Sequence, residues 1–139
     1  MRKRYELIEH TADFGIKVKG RSLSDVFRKA ALALFDIIAE KKPDTHPRQK
    51  ILHIKQTAAT QEELFINWLN ELLSLSQTKE VIFTRFQVEK LTATLIKARA
   101  IGRDVRGYRV NTEVKAATYH TLALTKTAAG WQARVIFDA

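Results

Sequence analysis

The chain has 139 residues, of which 45% are hydrophobic and none is cysteine. That length suits one domain with a sizeable core, and the missing thiols exclude disulfides, zinc–thiolate sites and thiol catalysis. Twenty-four Lys and Arg against 15 Asp and Glu give a formal charge of +9, a balance that attracts polyanions, with RNA or DNA the usual partner.

Residues 5–8 and 15–19 read as two strands flanking a polar knot, Glu9-His10-Thr11-Ala12-Asp13. The basic start is followed by Glu6 and Glu9, without the apolar stretch of a signal peptide. Ser22-Leu23-Ser24-Asp25 then opens a helix, in which a hydroxyl caps free amides and Asp favours the positive end. Leu23, Val26, Phe27, Ala30, Leu34, Ile37 and Ile38 recur at helical spacing, and Pro43 and Pro47 mark the loop that ends it. Residues 50–57 read as a strand. Thr60-Gln61-Glu62-Glu63 is a capping box for a second helix, with Leu64, Phe65, Trp68, Leu69, Leu72 and Leu73 as its buried stripe.

Strands are expected at 81–89, 91–101, 110–117, 121–126 and 131–137. Residues 91–101 are long for one strand, and 102–107, with two Gly and three charges, read as a turn or exposed loop. Trp131, Ala133, Val135 and Phe137 share one face of the last strand. Strands gathered behind the second helix imply an α+β fold, one domain over 1–139, with two amphipathic helices packed on largely antiparallel sheet. No run approaches the roughly 18 apolar residues of a membrane span, and the expected setting is cytoplasmic.

Three places could carry chemistry. The knot offers Glu9, His10 and Asp13, oxygen and nitrogen donors of the kind a divalent cation selects. Asp13 reads equally as an Asx cap, and His10 as a hydrogen-bonded residue at the core edge. Asp138 is the only acid after Glu113, and the carboxylate of Ala139 follows it. Were the two ends to meet, Asp13, Asp138 and Ala139 would make an oxygen-rich site for Mg²⁺, Ca²⁺ or Mn²⁺. The third place is 113–120, where Lys115 could neutralise a phosphate and His120 could ligate a metal or touch a partner. The residues alone favour a strand whose polar side faces water, with Tyr119 half buried. His46 and His53 are expected at the surface. The sequence has no Gly-rich phosphate loop, nucleophile elbow or His-Glu-X-X-His helix, so a self-contained kinase or hydrolase is not indicated.

Four segments, in order, resemble the archease family. They are Glu9-His10-Thr11-Ala12-Asp13-Phe14-Gly15-Ile16 with the later Ala30-Ala31-Leu32-Ala33-Leu34-Phe35; Trp68-Leu69-Asn70-Glu71-Leu72-Leu73; Val114-Lys115-Ala116-Ala117-Thr118-Tyr119-His120; and Gly130-Trp131 through Phe137-Asp138. The resemblance implies an accessory protein, not itself an enzyme, for a GTP-dependent RNA ligase of the RtcB type. Such a protein promotes ligase guanylylation and repeated turnover in tRNA splicing and RNA repair. It also implies a divalent metal at Asp13 and Asp138, with His10 adjacent and the Ala139 carboxylate available. Lys115, His120 and Glu9 would contact partner or phosphate, with RNA engaged indirectly or weakly. The chain departs from the family pattern at Tyr108 and Arg109, where a His is common, at Thr121, where an acid is common, and at Ala139, where a larger aliphatic is usual. A basic RNA-binding or chaperone-like module without metal chemistry is the alternative, and a small metal-dependent hydrolase on His10, Asp13 and His120 is a third reading.

Overall fold

The computed structural model describes residues 5–10 and 13–139. Strands β1 (Glu6–His10) and β2 (Asp13–Gly20) lead into helix α1 (Leu23–Ile38) and a short strand β3 (Ala39–Lys41). Strand β4 (Gln49–Thr57) precedes helix α2 (Gln61–Thr78), which is followed by β5 (Val81–Leu91) and β6 (Leu95–Asp104). A single 3-10 turn, Val105–Gly107, connects to β7 (Tyr108–Val110), and the long strands β8 (Ala116–Thr127) and β9 (Gly130–Asp138) close the chain. All pairings are antiparallel, in sheets of order β1-β2-β9-β8, β4-β6-β5 and β3-β7. The α+β expectation holds. No described helix is long and apolar enough to cross a membrane.

Both helix starts follow from their caps. Ser22 Oγ accepts from the Asp25 amide at 3.1 Å, and Thr60 Oγ1 accepts from the Glu63 amide at 3.2 Å. Glu63 reaches back to the Ala59 amide, one residue beyond the usual partner. Helix α1 packs on β2 and β5, and α2 on β8, β4 and β5. Their shared core includes Phe27, Phe35, Phe65, Trp68, Phe83 and Phe137. Trp68 is fully buried and donates its indole N–H to the Phe27 carbonyl at 3.0 Å, so its one polar atom stitches α2 to α1.

Several sequence expectations shift. Helix α1 stops at Ile38, ahead of both prolines, because β7 claims the backbone of 39–41 and the Ile38 carbonyl accepts from the Asn111 and Thr112 amides. Leu91 ends β5, and a turn closed by Thr92 Oγ1, which accepts from the Thr94 and Leu95 amides, separates it from β6. Residues 102–107 are not an exposed loop. Gly102 lies within β6, where a Cβ would come 2.5 Å from the Ile82 carbonyl oxygen, so glycine is required by close approach. Asp104, at the end of β6, is buried and accepts from Nε and Nη2 of the Arg106 guanidinium group, each at 3.0 Å, and from the Arg106 amide at 2.9 Å. Those bonds hold its carboxyl well below the usual carboxylate range. The strand expected at 110–117 does not form; β7 ends at Val110 and β8 begins only at Ala116.

Candidate functional site at the end of the four-stranded sheet

Strands β2 and β9 pair so that Asp13 lies opposite Asp138 and Phe14 opposite Phe137. The pleat sends alternate side chains to opposite faces. Phe14 and Phe137 therefore turn into the core, where their rings stack at 5.3 Å, and the two aspartates turn out at the sheet end. Asp13 is half-buried and Asp138 exposed. Directly opposed residues on one face have Cβ atoms about 4.5–5.5 Å apart, and like charges there repel. Among the described residues, neither aspartate has an ion pair or a side-chain hydrogen bond. This is a donor set a divalent cation fits: two hard carboxylates facing each other and uncompensated. The oxygens of Ala139, also exposed, follow directly.

The neighbouring strands bring other expected residues to the same end. The backbone of His10 pairs with Asp13, while the side chains of Glu9 and His10, and residues Thr11 and Ala12, lie outside what the structure describes. Ala116 pairs with Asp138 on the other side, and the Lys115 amide donates to the Asp138 carbonyl at 2.8 Å. Lys115 is exposed there. Among the described residues, no three His, Asp or Glu side chains form a metal-holding group.

His120 is not in the same row. The β8–β9 register runs from Thr118–Ile136 to Ala123–Arg134, so β8 carries three more residues than β9 across this stretch. The resulting bulge exposes Tyr119 and His120 and puts Thr121 at φ 49°. A β-branched residue in the left-handed region is strained by its Cβ contacts. Thr118 anchors the base of the bulge by donating to the Ile136 carbonyl at 3.0 Å and accepting from the His120 amide at 3.3 Å. His120 therefore stands beside the acidic end, displaced along the sheet. The departure at Thr121 gains a physical meaning, because Asp and Asn tolerate this backbone better than Thr.

One positioning residue escaped the sequence reading. Asn70 of α2 accepts from the Ala117 amide at 2.7 Å and donates to the Ala117 carbonyl at 3.3 Å. It fixes the start of β8, and with it Ala116 and Lys115 against Asp138. The available signal was an amide set beside the buried Leu69, Leu72 and Leu73 of an otherwise apolar helix stripe.

The model of the archease protein family (MTH1598/TM1083) matches residues 5–139. The chain is 40% identical over 144 residues to the protein archease of Methanosarcina mazei, covering 98% of this chain and 96% of that one. It is 34% identical over 143 residues to the protein archease of Pyrococcus abyssi, covering 98% and 99%. The solution structure of Methanobacterium thermoautotrophicum protein 1598 superposes with a TM-score of 0.75 at 29% identity, over 98% of this chain and 99% of that one. The crystal structure of an archease, described as a possible chaperone, from Thermotoga maritima gives a TM-score of 0.64 at 25% identity, over 100% and 98%. A match over nearly the full length, in sequence and in fold, means that this chain belongs to the archease family.

Proposed function

We propose that this archease is an accessory protein of a GTP-dependent RNA ligase of the RtcB type, presenting its acidic sheet end to the ligase. The supporting observation is the register pair Asp13–Asp138, two opposed carboxylates with no compensating cation among the described residues. On this reading Asp13, Asp138 and an oxygen of Ala139 hold a divalent ion, Ca²⁺, Mg²⁺ or Mn²⁺, with His10 alongside. Such an ion, when bound, supplies positive charge for phosphate oxygens. The chain's own residues do the positioning. Phe14 and Phe137 set the aspartates on a paired strand edge, and Asn70 pins the flanking strand. Lys115, His120 and Glu9 are the proposed contacts to partner or phosphate. On this reading the protein is auxiliary, and the bond-making belongs to the ligase. Work on tRNA splicing and RNA repair would place it in the cytoplasm.

The test is multiple-turnover RNA ligation by the cognate ligase with GTP and Mn²⁺, with and without this protein. Stimulation by the wild type that falls at least about tenfold in Asp13→Ala and Asp138→Ala is expected. Equal stimulation by both variants would remove the metal site. A chaperone-like reading draws on the +9 charge and on the description of the Thermotoga maritima relative. Suppression of ligase aggregation, unchanged by Asp13→Ala and without any effect on turnover, would favour it.

A further inference from the structure

The same outer face carries a second, oppositely charged feature. Two residues along β9 from Asp138, the row Gly15–Ile136–Thr118 carries no charge, and Ile136 is only 1% exposed. Beyond it, Lys17 pairs with Arg134, and Arg134 with Ala123. Lys19 and Gln132 form the next row. A groove of about 480 Å³ opens over these rows, lined by Lys17, Lys19, Gln132, Arg134, Ala123 and Tyr5, with Glu6 also at its wall. The sequence explains the hollow. The β8 bulge breaks the register just before Ala123, and Ala123 sets only a methyl group opposite the long Arg134.

The groove is short of acceptors. Among the described residues, Lys17, Lys19 and Arg134 form no ion pair, and Arg134 Nε is buried with no hydrogen-bond partner. A buried donor left unpaired costs free energy, and an acceptor entering the groove recovers it. We infer that this groove binds the phosphodiester backbone of single-stranded RNA. Three cations against one carboxylate, that of Glu6 opposite Lys17, favour an anion. An extended strand is favoured over a free phosphate because neither a helix N-terminus nor a glycine-rich loop lines the groove to wrap a small ion. Lys17 and Lys19 also alternate along one strand face, about 7 Å apart, and so present charges to successive phosphates. Tyr5 lies at the groove's edge, its ring packed against the core and its hydroxyl donating to Asp36 at 2.6 Å. Its hydroxyl is pushed up to about 12, by burial and then by Asp36, so it stays neutral.

Lys17 lies four residues from Asp13, about 13 Å along the strand, and this exceeds the Debye length of about 8 Å at physiological salt. The acidic pair therefore does not cancel the groove. The inference stands apart from the ligase reading, since the groove binds RNA with no ligase present.

Fluorescence anisotropy of a labelled single-stranded RNA, titrated with this protein alone across a salt series, tests it. Lys17→Gln and Arg134→Gln should each weaken binding about fivefold near 0.1 M salt and reduce the log–log salt slope by about 0.7. Arg134→Lys should retain most of the affinity, and Lys90→Gln on the exposed face of β5 should change nothing. Asp13→Ala should leave the slope unchanged. If Lys90→Gln weakens binding as much as Lys17→Gln, attraction is diffuse and the groove is not the site. Unchanged binding in folded Lys17→Gln overturns the inference, as does inorganic pyrophosphate occupying the groove while RNA fails to displace it.

Discussion

The outer face of the β2–β9 pair carries two regions of opposite character on one backbone. At the sheet end Asp13 faces Asp138; two ladder rows away Lys17 faces Arg134, with buried Ile136 and Gly15 between them. Backbone geometry is the same in both, so the difference lies wholly in side chains. Among the described residues the acidic pair has no ion pair, and the basic row sets Lys17 and Arg134 against Glu6 alone, again with no ion pair. Asp104 gives the contrast, a carboxylate whose charge is satisfied internally by Arg106 and Lys50. A sheet can keep opposite charges from neutralising each other because the strand fixes their spacing beyond the range of screened attraction.

Variants can break that arrangement or sharpen it. Phe137→Ala removes the ring that supports both regions and should cost about 3–5 kcal/mol in denaturant unfolding, with metal and RNA binding lost together. Asn70→Ala leaves the Ala117 amide without its partner and should cost about 1–3 kcal/mol. Its effect should reach the acidic end while sparing the RNA groove, a separation that metal titration and anisotropy would resolve. Thr121→Asn relieves the left-handed backbone and should raise stability by about 1 kcal/mol, read as a higher Tm. Asp13→Asn removes a like-charge contact and should stabilise the chelator-treated protein by about 0.5 kcal/mol. Added Mn²⁺ or Ca²⁺ should raise the Tm of the wild type and leave that of the variant unmoved; an equal rise in both would dissociate the metal from the aspartate pair.

Acid unfolding separates the compensated carboxylate from the uncompensated ones. Because the Asp104 carboxyl is depressed in the folded chain, its contribution is full above the unfolded value of about 3.9 and is lost as pH falls towards the folded one. Wild-type Tm should therefore fall as pH drops below about 4, and Asp104→Asn should flatten that fall while lowering Tm at neutral pH.

Much of the fold was legible because local chemistry and burial agree. Ser22 and Thr60 cap the helices that their hydroxyls announce, and the stripes from Val26 to Ile38 and Leu64 to Leu73 are buried. Residues 102–107 misled because charges and glycines suggest exposure. There Gly102 answers a close backbone approach, and Asp104 and Arg106 satisfy each other. The β8 bulge was illegible, since nothing in Tyr119-His120-Thr121 signals a register break that only the pairing partner on β9 defines.

The sequence by itself determined the α+β class, the two helices, the excess of positive charge and the candidate acids at 13 and 138, because capping, periodicity and composition act over a few residues. Only the tertiary structure decided that Asp13 faces Asp138, that His120 stands off on a bulge, and that Lys17, Lys19 and Arg134 share a groove. Those depend on strand order and register, which are set by the burial of Phe14, Ile16, Val135 and Phe137 across more than a hundred intervening residues.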